Sequence, residues 1–490
     1  MSYTILDCYT DEPAGLGVPP YLGTYPRYLF GAIKHQHKET PYYLTIDDLR
    51  LFHKYNSKKP DNKNDLKTKI KVYNLTKNYD KVEDILNKTK TLVIIAGIHT
   101  PGKYLSAVPG TLNEVMQLTK DINCKRVLTG PAATIGSRLE GGKFIEKVDL
   151  TQFEEVDNNY LGIENYNEIQ SIKGAEIVKQ IPALRLAEIE TGRGCNAGKC
   201  SFCTEPMKHD IEFREQKDIL AEITALKKQG IEHFRLGKQS CFYSYKNGKV
   251  SEIEKLLKPI KAKTLHIDNV NPNNVISEDG IKITKLVIKY CTPGNVAAFG
   301  IESFDKEVIK RNHLNTRPET AFKAIQILNK YGAKTSPNGM PYLLPGINIL
   351  FGLIGETKKT FEANYHWLKK ILDHNLLIRR INIRQVVPFP GTYLYIEAGN
   401  KFLRKNRKHY WKWRNTIRQD IDYPMLKRLL PIGSVMKDVY TEIYDGKTTF
   451  GRQLGTYPLI VGIKGRHELN KFVNIKVTNH MLRSVTGEII

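Results

Sequence analysis

Three cysteines within nine residues constrain this chain more than any other feature of its sequence. Cys195, Cys200 and Cys203 follow an apolar run that predicts a strand, and Gly192 and Gly194 allow a tight turn before the first thiol. Three close thiolates can ligate three of the four irons of a cubane iron–sulfur cluster. The fourth iron then has no cysteine, which indicates a cluster that takes part in chemistry rather than one that only stores electrons.

Two other interpretations of these cysteines stay open on spacing alone. A zinc site would need a fourth Cys or His ligand, and His209 is close enough in sequence to supply one. Free, buried thiols are the second alternative.

The loop resembles the cluster loop of the radical S-adenosylmethionine (SAM) superfamily. That family places an aromatic residue before the last cysteine, and here this residue is Phe202, which the resemblance assigns to the cofactor site. The second gap of two residues matches the family, whereas the first gap of four is one residue longer than usual. The resemblance implies a 4Fe-4S cluster on the three cysteines, SAM as cofactor, and a 5′-deoxyadenosyl radical that abstracts hydrogen from the substrate.

Residues 181–400 alternate apolar runs with amphipathic segments, which predicts parallel β/α units. Six strands make a partial (β/α)6 barrel, whose ligands belong at the C-terminal ends of the strands. The predicted strands are Ile181–Ile189, His233–Leu236, Thr264–Ile267, Val296–Gly300, Ile347–Phe351 and Arg380–Arg384.

Two predicted strand ends carry further motifs of the same family. Glu302 and Ser303 follow one strand and look like the turn that holds SAM in these enzymes. Gly352, Ile354 and Gly355 follow the next and resemble the segment that backs the adenine, with one residue fewer than the family pattern. The resemblance therefore assigns these five residues to SAM.

Two more strand ends match less closely. The family's Gly-Gly-Glu reads Gly237-Lys238-Gln239 here, so Gly237 and Gln239 remain candidates for the methionine amine, while Lys238 changes the local charge. Pro388–Thr392 resembles the last strand end of the subgroup that includes methylthiotransferases and the Elongator catalytic subunit.

Residues 1–145 read as a Rossmann-like α/β domain, with strands predicted at Tyr3–Asp7, Thr91–Gly97 and Arg126–Gly130. The pattern is similar to the N-terminal domain of cobalamin-binding radical SAM proteins, which makes cobalamin a candidate cofactor. No Asp-x-His-x-x-Gly motif is present to supply a lower cobalt ligand. A Rossmann-like scaffold without a cofactor is the alternative. Only Cys8 and Cys124 are available in this domain, too few for the second cluster of a methylthiotransferase.

The composition indicates the compartment and the partners. A net charge of +24 over 490 residues favours a polyanionic partner such as RNA, although it could also be a general surface property. Seven cysteines, three of them clustered, are typical of a reducing interior rather than a disulfide framework. No stretch is apolar enough to cross a bilayer, so we expect a cytoplasmic protein without a membrane partner.

Residues 401–430 form a basic connector with interleaved aromatic residues. Cations for phosphates and rings for base stacking are what single-stranded nucleic acid needs, whereas a solvated helix docked by its aromatics is the alternative. The candidate contacts here are Lys405, Arg407, Lys408, Trp411, Trp413 and Arg414.

Residues 431–490 read as short strands with turns and resemble the TRAM domain, a small OB-like β-barrel that closes many tRNA-modifying enzymes. The likeness rests on Gly451-Arg452-Gln453 and on the closing segment 472–490, and it makes Arg452 a candidate RNA contact. A purely structural β module is the alternative.

The sequence thus predicts an α/β protein: a Rossmann-like domain (1–145), a linker (146–180), a radical SAM barrel (181–400), a basic connector (401–430) and an OB-type barrel (431–490). The predicted function is a radical SAM transferase that modifies RNA, with tRNA favoured, by methyl or related group transfer. Ferredoxin or flavodoxin is the expected one-electron reductant. The alternatives are cobalamin-dependent C-methylation of a protein side chain and a cluster-containing RNA-binding protein without turnover.

Overall fold

The computed structural model describes residues 3–9, 21–58, 74–97, 108–135, 137–140, 144–147, 149–165 and 167–490. The chain forms two compact units, one from residues 1–188 and 217–232 and one from residues 189–216 and 233–490. The strands are β1 (Tyr3–Asp7), β2 (Tyr21–Leu22), β3 (Tyr42–Thr45), β4 (Thr91–Ile95), β5 (Lys125–Thr129), β6 (Ser137–Glu140), β7 (Phe144–Lys147), β8 (Glu155–Val156), β9 (Leu186–Glu190), β10 (Gly192–Arg193), β11 (Glu212–Phe213), β12 (His233–Gly237), β13 (Thr264–Ile267), β14 (Asn269–Val270), β15 (Asn295–Glu302), β16 (Leu343–Phe351), β17 (Arg380–Gln385), β18 (Val435–Asp445), β19 (Thr448–Gln453), β20 (Ile460–Lys464), β21 (Phe472–His480) and β22 (Val485–Ile489).

The helices alternate with these strands through most of the chain. They are α1 (Thr24–Gln36), α2 (Ile46–Tyr55), α3 (Val82–Lys88), α4 (Leu112–Leu118), α5 (Pro131–Ile135), α6 (Glu168–Gly174), α7 (Glu205–Lys208), α8 (Gln216–Lys228), α9 (Val250–Leu257), α10 (Pro272–Val275), α11 (Glu278–Tyr290), α12 (Lys306–Arg311), α13 (Pro318–Gly332), α14 (Lys358–Asp373), α15 (Tyr393–Glu397), α16 (Lys401–Ile417) and α17 (Tyr423–Leu429). Short 3₁₀ segments cover Leu150–Gln152, Tyr160–Gly162, Ala175–Gln180 and Phe242–Gly248, and a π-helical turn covers Arg418–Asp422.

The first unit is built on a parallel sheet with strand order β3-β1-β4-β5-β8. Counted along the chain, this is the 2-1-3-4-5 order of flavodoxin-like doubly wound folds. The Rossmann-like prediction is confirmed, because the apolar runs of β1, β4 and β5 form its centre and are almost fully buried.

The segment predicted as a linker, 146–180, packs within the first unit. It contributes the edge strand β8 and the helix α6, which lies directly against α1. The two helices approach at Gly31 and Gly174, where a Cβ would lie 1.8 Å from the Gln170 carbonyl oxygen and 2.2 Å from the Arg27 carbonyl oxygen. Only glycine allows this contact between the two helices. The polar composition of residues 146–180 could not predict it.

The second unit contains the β/α domain, and β9 leads into it. Parallel pairing joins β12 to β13, and β14-β15-β16-β17 form a parallel sheet. The six predicted strands are present as β9, β12, β13, β15, β16 and β17, which confirms the β/α prediction. On β17 the side chains alternate: Ile381 and Ile383 are buried, whereas Asn382 and Arg384 on the opposite face stay partly accessible.

The C-terminal strands form a closed barrel of order β18-β19-β20-β22-β21. With the strands numbered one to five along the chain, the order is 1-2-3-5-4 and the pair β20–β22 is parallel. This is a five-stranded barrel of the OB type, as the sequence predicted. Asp445-Gly446, a dipeptide typical of tight hairpins, lies at the turn between β18 and β19.

The loop between β19 and β20 docks the barrel onto the β/α domain of the same unit. Thr456 donates its backbone N–H to His266 Nδ1 at 3.1 Å, and the Tyr457 hydroxyl donates to Asp268 Oδ1 at 3.0 Å. Burial lowers the pKa of His266 to about 4, so the ring is neutral and can accept at Nδ1. β20 begins at Ile460, after Pro458, which has no N–H to pair with a neighbouring strand.

Within the part of the chain that the structure describes, no helix combines the length and the apolarity needed to cross a membrane.

Candidate active site at the strand ends of the β/α domain

The cysteine loop lies between β10 and α7, where the chain reverses. Gly194 has φ +73°, and a Cβ there would lie 2.4 Å from the Asp210 carbonyl oxygen, so the turn requires glycine. The Gly194 N–H donates to Glu205 Oε1 at 2.9 Å, and the Ser240 hydroxyl donates to the Gly194 carbonyl at 3.0 Å. The loop is therefore held at both sides by residues of the same unit.

The three thiols share one electrostatic environment. Burial, together with the nearby Cys203, Glu302 and Cys195, raises the pKa of Cys200 to about 12. All three cysteines are partly accessible. Without a cation the Cys200 thiol stays protonated at neutral pH, so a bound metal must supply the charge that ionises it.

The three cysteines supply thiolates, which are the ligands of iron–sulfur clusters. Among the described residues, no three His, Cys, Asp or Glu side chains converge on one metal position. His209, the fourth ligand of the zinc alternative, instead has its Nδ1 3.1 Å from Glu205 Oε1. A cubane spreads its irons over separate corners, so its thiolates need not meet at one point.

Asn312 connects the cysteine loop to the strand end after β16. Its Oδ1 accepts from the Ser201 hydroxyl at 2.7 Å and from the Ile354 N–H at 3.1 Å, and its Nδ2 donates to the Ile354 carbonyl at 2.9 Å. The side chain is fully buried. The sequence resemblance around Glu302 continues to Lys310-Arg311-Asn312, but it gave Asn312 no role of its own at the site.

Glu302 stands at a strained position as the last residue of β15. Its φ of +63° is left-handed, and the register of β15 against β16 shifts between Gly300 and Glu302. Burial raises its pKa to about 8, against the opposing effect of Arg384. No described residue hydrogen-bonds its carboxylate, which leaves both oxygens for a ligand.

Ser303, the neighbour of Glu302, has a structural role: it stabilises the turn. It is fully buried, its N–H donates to the Ile301 carbonyl at 2.7 Å, and its hydroxyl accepts from the Asp305 N–H at 3.2 Å. These bonds fix the turn that presents Glu302.

The turn after β16 is closed by Glu356. Gly352 and Gly355 have φ of +100° and +84°, and the buried Glu356 carboxyl accepts from the N–H groups of Gly352 and, at 3.1 Å, of Leu353. Ile354 has both backbone groups bound to Asn312. Most backbone groups of this turn are thus already hydrogen-bonded. The turn can therefore offer a cofactor an apolar surface but few hydrogen bonds.

Gln239 presents an unpaired amide in the interior. The side chain is 3% exposed, and neither its Nε2 nor its Oε1 has a hydrogen-bond partner in the structure. Lys238 beside it has φ +67°, and the carbonyl of Gly237 accepts from the Thr191 N–H at 3.3 Å. A buried amide with no partner costs free energy unless a ligand pairs with it. Gln239 therefore fits a residue that meets the polar end of SAM.

Phe202, half-buried, packs in the same apolar cluster as Cys200, Ile354 and Leu394. It forms part of the wall between the cysteine loop and the turn after β16. The predicted Pro388–Thr392 segment also reaches this cluster through Leu394, whose N–H donates to the Ser201 carbonyl at 2.8 Å.

The predicted nucleic-acid residues on α16 divide into two faces. Lys405, Arg407 and Lys408 are exposed, and so is Trp411, at 56%. Trp413 instead stacks on Phe361 with ring centroids 5.5 Å apart and planes at 12°. Trp413 thus docks the helix, as in the alternative, while the outer face stays cationic.

Arg414 and Arg452 also differ from solvent-facing cations. The Arg414 guanidinium lies 5.2 Å from the Trp411 ring centre. Arg452 is 2% exposed, and its Nε and Nη2 each donate to a different oxygen of Glu442 at 2.8 Å. Because a buried guanidinium needs a carboxylate partner, Arg452 braces the β18–β19 pair and presents little charge to RNA.

Comparison with protein families decides the class of this site. Residues 189–368 match the family model described as the radical SAM superfamily. The chain contains a radical SAM domain. A radical SAM domain uses a 4Fe-4S cluster and SAM.

Relatives share nearly the whole chain. An uncharacterized protein of Methanocaldococcus jannaschii is 42% identical over 99% of this chain and 93% of its own length. An uncharacterized protein of Archaeoglobus fulgidus is 40% identical over 99% of this chain and 90% of its own length. The radical SAM chain and these proteins form one family.

Two solved structures share parts of the architecture. The radical SAM methyltransferase TsrM from Kitasatospora setae, with cobalamin and a [4Fe-4S] cluster bound, matches with a TM-score of 0.48 and 14% identity, over 81% of this chain and 78% of that one. The cobalamin-dependent radical enzyme OxsB matches with a TM-score of 0.47 and 11% identity, over 85% and 56%. At these values the likeness carries no functional argument.

Proposed function

We propose that this chain is a radical SAM transferase that modifies RNA, with tRNA as the favoured substrate, by methyl or related group transfer. The observation that supports the radical chemistry is the convergence of the cysteine loop and the Glu302 turn, with Asn312 tying the loop to the Gly352–Gly355 turn. When bound, the cluster and SAM supply a one-electron cleavage of the sulfonium that yields the hydrogen-abstracting radical.

The residues of the chain bind and orient the cofactor. Glu302 offers carboxylate oxygens to hydroxyl or ammonium donors of SAM, and Gln239 offers both a donor and an acceptor. The wall of Phe202, Leu394 and Ile354 excludes water from this space. Asn382 and Arg384, on the partly accessible face of β17, are our candidates for contact with the substrate.

The RNA part of the proposal rests on charge and topology. The outer face of α16 presents cations without intervening acids, and the C-terminal barrel has the OB strand order, which often binds oligonucleotides. Arg452 and Trp413 no longer support this part, because both are engaged within the protein.

Cobalamin is proposed as a candidate cofactor of the first unit. The 2-1-3-4-5 strand order supports it, since such sheets bind ligands at the strand ends where the order reverses, here β1 and β4. The segments that follow β1 and β4, residues 10–20 and 98–107, lie outside the described residues. A corrinoid assay on protein produced with cobalamin present tests this directly.

The radical chemistry is tested on anaerobically reconstituted protein. We expect about four irons per chain and formation of 5′-deoxyadenosine from SAM with dithionite as reductant. The triple variant Cys195→Ala/Cys200→Ala/Cys203→Ala should lose both. Retention of all iron by that variant contradicts the proposal.

The RNA substrate is tested by titrating tRNA at two salt concentrations. The variant Lys405→Ala/Arg407→Ala/Lys408→Ala should weaken binding and reduce the salt slope by about 2, since each lost phosphate contact accounts for about 0.7. The control Lys282→Ala/Lys285→Ala/Lys289→Ala removes the same charge from the exposed face of α11. Equal effects of both variants contradict RNA binding by α16 and favour protein methylation; tRNA binding without SAM cleavage favours an RNA-binding protein without turnover.

A further inference from the structure

Five arginines gather in the second unit where the start of β17, the end of α16 with its π-helical turn, and the loop between β21 and β22 come together. We name this group the arginine cluster: Arg379, Arg380, Arg414, Arg418 and Arg483. Asp422, in the π-helical turn, interacts electrostatically with all of them except Arg414, whose charge acts on Arg483. One carboxylate cannot neutralise five guanidinium groups, so Asp422 leaves the cluster with an excess of positive charge.

Two members of the cluster are held in place by the protein. Arg418 is 3% exposed, forms an ion pair with Asp422, and donates from Nη1 to the Ile381 carbonyl at 2.7 Å. Arg379 donates from Nη2 to the Tyr457 carbonyl at 2.7 Å. The Nε of each of these two arginines is buried without a hydrogen-bond partner, so the protein does not satisfy them fully. Arg418 and Arg379 therefore supply positive charge at fixed positions.

The other three arginines are accessible to a ligand. Arg380 and Arg414 are partly accessible, and Arg483 is exposed. Although Arg483 is exposed as a residue, partial desolvation by the surrounding protein and the charges of Arg418 and Arg380 lower its pKa to about 9. The folded protein thus disfavours positive charge at Arg483, because like charges close together repel. An anion bound in the cluster offsets this repulsion.

We propose that the arginine cluster binds a phosphate group of the RNA backbone. This assignment rests on the RNA substrate proposed above and names where the protein holds it. A guanidinium presents paired N–H donors that match two oxygens of a phosphate, and arginines from three segments can approach one phosphate from several sides. The negative charge of the phosphate also lowers the repulsion among the arginines, which an uncharged ligand cannot do.

The RNA backbone suits this site better than free phosphate because the cluster continues into an exposed aromatic ring and further cations. The Arg414 guanidinium lies 5.2 Å from the centre of the Trp411 ring, and Trp411 is 56% exposed. Lys405 and Lys408 are exposed nearer the start of α16. A base can stack on Trp411 while a neighbouring phosphate enters the cluster. Free phosphate has no group that would use Trp411.

The cluster lies away from the strand ends where SAM is proposed to bind. Arg380 is the first residue of β17 and Gln385 is the last, so the two ends of the strand are about 17 Å apart. A phosphate held at the start of β17 fixes the position of the RNA and takes no part in the reaction. Changes in the cluster should therefore affect RNA binding and leave RNA-independent SAM cleavage intact.

The first test is a tRNA titration at several salt concentrations. The variant Arg483→Gln should bind tRNA about tenfold more weakly, as expected when one hydrogen bond to a charged group is lost. Its salt slope should fall by about 0.7 to 0.9, the contribution of one phosphate contact. The control Lys464→Gln removes one exposed charge from the end of β20 in the same barrel and should bind like wild type.

Thermal unfolding separates a phosphate site from a structural role of Arg483. In chloride, Arg483→Gln should be at least as stable as wild type, because one repelling charge is gone. Inorganic phosphate at the same ionic strength should raise the unfolding temperatures of wild type and Lys464→Gln more than that of Arg483→Gln. Trp411→Ala should keep the full response to phosphate but bind tRNA about tenfold more weakly, because it loses base stacking.

Equal tRNA affinities of Arg483→Gln and wild type overturn the proposal, and so do equal losses in Arg483→Gln and Lys464→Gln. In both cases wild type still binds tRNA, so the proposed RNA substrate stands while this site fails. A lower stability of Arg483→Gln in chloride, or a phosphate response equal to that of wild type, also overturns the site. If wild type binds no tRNA, the RNA substrate and this site both fail, while 5′-deoxyadenosine formation tests the radical chemistry separately.

Discussion

Two carboxylic acids, Glu302 at the end of β15 and Glu356 after β16, both have a pKa that burial raises to about 8. The two acids differ in their hydrogen-bond partners. Glu356 accepts hydrogen bonds from the backbone N–H groups of Gly352 and Leu353. Glu302 accepts none from the described residues and sits on a left-handed backbone. Glu356 thus closes its own turn. The Glu302 carboxylate stays unpaired, on a backbone conformation that costs free energy.

The difference shows how to separate a structural acid from a ligand-binding acid. The raised pKa alone would rank the two equally as functional candidates. Their hydrogen bonds distinguish them: Oε2 of Glu356 closes its own turn, although its buried Oε1 has no partner, whereas Glu302 accepts no hydrogen bond from the described residues. Gln239 meets the same criterion as Glu302, with both amide atoms unpaired.

The largest expected effect separates the two acids by stability. Glu356→Ala leaves two buried N–H groups without an acceptor, so we expect a loss of about 2–6 kcal/mol in the free energy of unfolding. Glu356→Gln keeps an acceptor oxygen and should lose much less. Urea unfolding measures both, and equal midpoints for the alanine variant and wild type would show that Glu356 does not close the turn.

Removing Asn312 should uncouple the cysteine loop from the turn after β16. Asn312→Ala loses bonds to Ser201, Ile354 and Val308, for which we expect about 2–4 kcal/mol of destabilisation. Iron should also be lost faster on exposure to a chelator. Asn312→Asp keeps the acceptor oxygen, so its stability and its iron retention should lie between those of wild type and those of Asn312→Ala. Iron retention equal to wild type in the alanine variant speaks against this link.

The pH dependence of stability sharpens the comparison further. Glu356 titrates near 4.5 in an unfolded chain and near 8 in the folded protein. The stability that this protonated group contributes is complete below pH 4.5 and is lost as the pH rises through about 8. Between pH 6 and 7.5, wild type should lose about 2 kcal/mol relative to Glu356→Gln. Parallel pH profiles of the two proteins would refute the raised pKa.

The smallest expected effect concerns the backbone of Glu302. Glycine adopts φ +63° without strain, so SAM-free Glu302→Gly should be more stable than Glu302→Ala by about 1 kcal/mol. Thermal unfolding of the two variants measures this difference. An alanine variant that is the more stable of the two would mean that the left-handed turn is not strained.

The sequence predicted the parts of the site that depend on local order. The six β/α strands follow from apolar runs, and Glu302 and Gln239 follow from motif order at strand ends. The motif around Glu302 extends to Asn312, but the link that Asn312 makes was not predicted because its partners, Ser201 and Ile354, are distant in sequence. Trp413 and Arg452 were predicted to contact RNA from their residue types and sequence context. Their actual partners, Phe361 and Glu442, result from tertiary packing, which the sequence does not reveal.

The central claim is that Glu302 receives SAM while Glu356 does not, and SAM affinity tests it most directly. Wild type, Glu302→Gln and Glu356→Gln are reconstituted anaerobically, checked for equal iron content and titrated with SAM. Glu302→Gln should bind SAM about 10–100-fold more weakly, as expected when a hydrogen bond to a charged group is lost. Glu356→Gln should bind like wild type. Equal affinities of Glu302→Gln and wild type, at equal iron content, would contradict the account.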